Sequence, residues 1–217
     1  MDRLLYICLL LFVAGCSKKE KPPFTIGSRF SYATSFTTTA ERITKHDTLT
    51  FTIQEHDITS YSPGRKKIRW ENTRHDYYQV RSLDADEKII ELQLPLNYIG
   101  FANEEIATAG HPFIIPGATP GDTLIKENPY NEAYGRLSGY TIRYRIAYLR
   151  DTSILFDGQE LKCQLWESRN TNYIKLFGSY AVEYTYNTDY GFITMNYNYP
   201  DGKRINMQLV DIAIHGK

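Results

Sequence analysis

Cysteine is nearly absent from this chain. There are three in 217 residues, Cys8, Cys16 and Cys163, and the first two stand in or just after an apolar N-terminal stretch. Cys163 is left alone, so the body of the protein has no intramolecular disulfide and must be held by packing. Spaced by two from Leu161 and Leu165, it reads as a small buried apolar side chain rather than a reactive thiol. A surplus of charge is missing too: 25 Lys and Arg balance 25 Asp and Glu, with the signs interspersed. Nucleic-acid binding needs a basic face to neutralise phosphates, and that class is set aside. Helical patterning is the third absence. Windows of about twelve residues show no apolar stripe at three- and four-residue spacing, and residues 103–109 offer a turn or two at most.

The motifs of catalysis are scarce as well. His46, His56, His75, His111 and His215 stand in no His-x-x-x-His or His-Glu-x-x-His frame, and there is no Cys-x-x-Cys. His46-Asp47 and Glu55-His56-Asp57 could approach across strands, but they read as surface charge, and no metal ligand set is assigned. Leu137-Ser138-Gly139 lacks the nucleophile-elbow pattern. Asp84, Asp86, Glu87, Glu104 and Glu105 read as solvated loop charges rather than a glycosidase pair. Gly27, Gly100 and Gly110 form no phosphate-cradling loop. No catalytic residue, metal site or cofactor is expected; a hydrolase is the remote alternative.

What the sequence has in quantity is alternation. Phe30, Tyr32, Thr34 and Phe36 recur at every second position, as do Leu49, Phe51 and Ile53. Ile142, Tyr144, Ile146 and Tyr148 face one way while Thr141, Arg143 and Arg145 face the other. Tyr180, Val182, Tyr184 and Tyr186 follow, then Ile193, Met195, Tyr197 and Tyr199, answered by Ile205, Met207 and Leu209. Period two marks strands with one face in a core and one in water, and 18 Tyr and 10 Phe suit strands. Asp-Gly pairs at 157–158 and 201–202 supply tight hairpin turns. The expectation is an all-β, mainly antiparallel fold of about nine or ten strands, in blocks over residues 28–94 and 139–214. Such a meander curls into an open half-barrel, with a β-sandwich as the alternative. Between the blocks, residues 95–138 are rich in Gly and Pro yet carry Ile99, Phe101, Phe113, Ile114 and Ile115. A loop of that length packs on something, as a lid over a cavity or a crossover plugging the core.

The N-terminus carries the most specific signal. Residues 4–13 are ten unbroken apolar residues behind Arg3, about half a bilayer core in helical length, which fits a signal-peptide core and not a membrane span. Val13-Ala14-Gly15-Cys16 follows and resembles the lipobox of bacterial lipoproteins, with Val13 where Leu is commonest. The resemblance implies cleavage between Gly15 and Cys16, a diacylglyceryl group on the Cys16 thiol, and a stable tether, since each buried CH₂ contributes ~0.8 kcal/mol. Residues 1–15 are then a signal peptide, 16–24 a lipidated stalk with Pro22 and Pro23, and 25–217 a single β domain. Ser17, where an Asp would retain the protein at the inner membrane, implies the outer membrane. Lys18-Lys19-Glu20-Lys21 lacks the acidic surface-export signal, which implies the periplasmic face.

Strand pattern and lipobox together are similar to the lipoprotein-carrier-like half-barrels of the Gram-negative envelope, where a curved sheet wraps an apolar cavity. The implied function is a non-enzymatic envelope lipoprotein binding an apolar or amphiphilic ligand, such as a lipid, or a partner protein. The candidate lining is Ile142, Tyr144, Ile146, Ile193, Met195, Ile205 and Met207, with residues 95–138 as gate. The alternative is a structural or accessory subunit of an envelope or surface-glycan assembly, touching neighbours through Tyr77, Tyr78, Tyr130, Tyr134, Tyr140 and Tyr173.

Overall fold

The structure, a computed structural model, describes residues 23–37, 44–57, 64–76, 78–86, 88–95, 110–129, 139–172 and 179–215. The lipobox and residues 96–109 and 130–138 of the excursion lie outside them. Twelve strands occur among the described residues. The first block forms β1 (Arg29–Thr37), β2 (Thr44–His56), β3 (Arg65–Asn72), β4 (Tyr78–Ala85) and β5 (Ile90–Leu92). The excursion contributes β6 (Phe113–Ile114) and β7 (Thr123–Pro129). The second block forms β8 (Thr141–Phe156), β9 (Gln159–Asn170), β10 (Ala181–Asn187), β11 (Gly191–Asn198) and β12 (Arg204–Ala213). All join one antiparallel sheet in the order β6-β5-β4-β3-β2-β1-β12-β11-β10-β9-β8-β7.

The order is a meander bent into a ring with one open seam. The first and last strands pair in the middle, Phe30 opposite Ile212 and Phe36 opposite Ile205, while the sequence neighbours β6 and β7 become the two edges. The sheet curls far enough for those edges to meet through side chains. Lys126 on β7 reaches Glu91 on β5, Nζ to Oε1 at 2.5 Å, and lies 4.9 Å above the Phe113 ring. From β10 the Tyr184 hydroxyl donates to the Phe113 carbonyl of β6. The fold is thus an all-β, curled and unclosed sheet, as the alternation requires.

The register explains the aromatic surplus. Phe30 stands opposite Phe51, and Phe51 opposite Trp70; their ring centroids lie 4.6 and 4.9 Å apart. Tyr148 and Trp166 are likewise partners, stacked at 4.8 Å. Opposed aromatics on neighbouring strands are favourable cross-strand pairs, and here they fill the bend of the sheet. Hydroxyls in the core find carbonyls: Tyr32 donates to Phe192 at 2.8 Å. Asp157 and Gly158 both have positive φ, 48° and 72°, which gives the tight turn that the Asp-Gly pair predicts.

The excursion is more deeply built in than a loop. Residues 110–114 lie against the core, with Phe113 and Ile114 buried and Gly110, φ 83°, so close to Tyr144 that an added Cβ would stand 3.0 Å from its ring. The Leu94 amide donates to Nδ1 of His111. Burial, with Arg81 and Lys126 nearby, presses the His111 imidazole down to about 3, so it serves as a neutral acceptor.

Candidate functional site

The seven residues predicted to line a cavity come together from three strands. Ile142, Tyr144 and Ile146 on β8, Ile193 and Met195 on β11, and Ile205 and Met207 on β12 are all 8% exposed or less and belong to one hydrophobic cluster. Met195 stands opposite Met207, and Tyr197 opposite Ile205. The rings of Trp70, Trp166, Tyr184 and Phe192 share that interior and are fully buried. Cys163 is buried there as well; its thiol points at the Leu161 carbonyl, and burial pushes its pKa up to about 11. His46 and His56 lie at opposite ends of the same strand, β2, roughly 30 Å apart at the usual strand rise. Among the described residues no three His, Cys, Asp or Glu are grouped to hold a metal ion. Cys16, Gly15 and four of the six loop tyrosines lie outside the described residues; Tyr78 and Tyr140 are exposed.

An open space occurs on the other face. A groove of about 650 Å³ crosses β2, β1, β12 and β11. Strand register builds its floor as two rungs. Thr48, Ala33, Gln208 and Thr194 form the first, and His46, Ser35, Asn206 and Asn196 the second. Ala33 sits between Thr48 and Gln208, and its methyl group leaves the space that a longer side chain would fill. Asn206 Nδ2 donates to Ser35 Oγ at 3.4 Å, and Thr194 Oγ1 is paired with Thr185 Oγ1 at 2.8 Å, so parts of both rungs are preset. Thr73 and Arg74 of the β3–β4 turn, with Asp47, complete the wall. The lining carries hydroxyls and carboxamides in excess over charges and has no Phe, Tyr or Trp.

Sequence reasoning passed over this groove because the outward positions of an alternating strand resemble any solvated face. Two signals were present. Ala33 is a small residue among polar outward neighbours, and the carboxamides Asn196, Asn206 and Gln208 recur on the outward positions of adjacent strands. Neither has meaning until β1 and β12, residues apart by most of the chain, are known to be neighbours.

No family model matches the chain, and no curated protein matches it. Solved structures do. One is a protein of Bacteroides fragilis assigned as exported, with a YmcC-like fold: 6% identity over 88% of this chain and 97% of that one, TM-score 0.45. The hypothetical lipoprotein YmcC of Escherichia coli has 8% identity over 95% and 97%, TM-score 0.44. A Parabacteroides distasonis protein assigned as a lipoprotein has 10% identity over 90% and 100%, TM-score 0.43. The chain is similar to these. At such identities and scores the likeness assigns neither family nor function.

Proposed function

We propose that this protein is a lipid-tethered, non-enzymatic binding module of the bacterial envelope, held at the periplasmic face of the outer membrane, that takes a hydroxyl-rich ligand of the glycan class in the outer groove. The makeup of the two rungs carries the reading. Thr, Ser, Asn and Gln side chains both donate and accept hydrogen bonds, which suits a ligand that offers hydroxyls of both kinds, and the groove is already open. The tether rests on the resemblance of Val13-Ala14-Gly15-Cys16 to a lipobox. An apolar ligand bound between Ile142 on β8 and Met195 on β11 would instead have to displace packed side chains, which costs contacts throughout a dense core. The accessory-subunit reading draws support from Tyr78 and Tyr140, 65% and 45% exposed.

The test is direct. Oligosaccharides released from purified envelopes by mild acid are mixed with the detergent-solubilised full chain, and contact is read by saturation-transfer NMR. Signal is expected with the wild type and lost with Ala33→Leu, which fills the floor of the groove on a position exposed to solvent and leaves thermal unfolding unchanged. No signal with the wild type, or equal signal with Ala33→Leu, overturns the groove assignment.

A further inference from the structure

The described chain emerges at a definite place. The Phe24 ring is buried against Gly191, where an added Cβ would stand 2.7 Å from the ring. Lys66 Nζ donates to the Phe24 carbonyl at 2.6 Å, and Thr25 Oγ1 to the His215 carbonyl at 3.2 Å. The root of the tether is therefore fixed at the end of the sheet formed by the start of β1, the end of β12 and the β10–β11 turn. Exposed apolar residues gather at that same end. Ile26 lies two residues beyond the root and is 40% exposed. Leu155, 70% exposed, stands just before the Asp157-Gly158 tip of the β8–β9 hairpin. The tip is held against the β10–β11 turn by Phe156, whose ring centroid lies 5.5 Å from that of Tyr190. Val210, 51% exposed, is the bulged residue of β12 and borders the same small cleft as Phe156 and Tyr190.

We infer that this end of the sheet seats on the surface of the bilayer that holds the lipid, with Leu155, Val210 and Ile26 entering the headgroup region. The inference rests on the tethered reading above. Seven residues lie between Cys16 and Phe24, a reach of no more than about 29 Å. A tether that short holds the end at a high local concentration against the membrane, roughly millimolar, so apolar contacts too weak to bind a free protein suffice. Asp157 and Asp211 border the same cleft, which sets the seat at headgroup depth rather than in the hydrocarbon. The groove then faces the aqueous side, since Thr73, Arg74 and His46 belong to the opposite end of β2 and β3 from His56 and Arg65.

The experiment uses the full chain, matured in cells and reconstituted in phosphatidylethanolamine–phosphatidylglycerol vesicles. In a Cys163→Ala background, a nitroxide is placed at Leu155→Cys or, at the far end of β8, at Tyr140→Cys. Collision with oxygen and with a water-soluble nickel chelate is then measured. The Leu155 label is expected to meet the chelate several-fold less often than the Tyr140 label. If both labels are equally open to the chelate while the protein carries labelled palmitate and floats with the vesicles, the seat is wrong and the tether stands. A protein that carries no palmitate and does not float overturns both.

Discussion

Tyr197 shows how one hydroxyl can be out of place in a well-packed core. Its ring is fully buried on β11, yet among the described residues its hydroxyl finds no hydrogen-bond partner, and burial holds its pKa well above the usual tyrosine range. A buried polar group without a partner costs ~1–3 kcal/mol. Tyr197→Phe is therefore expected to leave the urea midpoint unchanged or to raise it. Tyr184→Phe is the counterpart: its hydroxyl donates to Phe113 across the seam, and its loss should cost about 1 kcal/mol. A Tyr197→Phe variant less stable than the wild type by the same amount would contradict this.

At the scale of the strand, the seam between β5 and β7 poses the sharpest question. An open edge invites pairing with another chain, and inward-pointing charge is a common defence. Lys126 lies on the inward row of β7 and meets Glu91 of β5, with side chains 24% and 11% exposed. Truncating one strands the other in a poorly solvated site, which costs more than the pair contributes. Lys126→Ala should lower stability by about 2 kcal/mol, discounted from the fully buried case for partial exposure. The double variant Glu91→Leu with Lys126→Leu should recover most of that loss and yet aggregate sooner, because the β7 edge loses its inward charge. Equilibrium unfolding with light scattering reads both effects. A double variant no more stable than Lys126→Ala would show that the seam is not held by charge.

The molecule as a whole has two ends with different business. One holds Phe24, the root of the proposed tether, and the exposed Ile26, Leu155 and Val210; the groove lies toward the other. Among the described residues the buried positions begin at Pro23 and Phe24, well past Cys16. Cys16→Ala is therefore expected to release the protein from membranes, or leave it uncleaved, with its unfolding transition unchanged. Fractionation with labelled palmitate reads the outcome. A variant that still pellets with membranes, beside a wild type that takes up no label, would remove the lipoprotein reading.

Much of this was legible in the linear chain. Alternation in Phe30, Tyr32, Phe36 and in Ile142, Tyr144, Ile146 sufficed for an all-β fold, because period two is a local property of extended backbone. The Asp-Gly turns and the apolar leader ending at Cys16 are local signals of the same kind. β7 was not legible, since its inward row of Leu124, Lys126 and Asn128 is mostly polar and carries no hydrophobic period. Its lysine makes sense only beside Glu91, on a strand that meets it when the sheet curls. The groove was hidden for a related reason: its rungs join residues 33–48 to residues 194–208. Local pattern determined the strands. Only the pairing of β1 with β12 decided which outward side chains share a surface, because a strand encodes which face a side chain takes and not which strand will lie beside it.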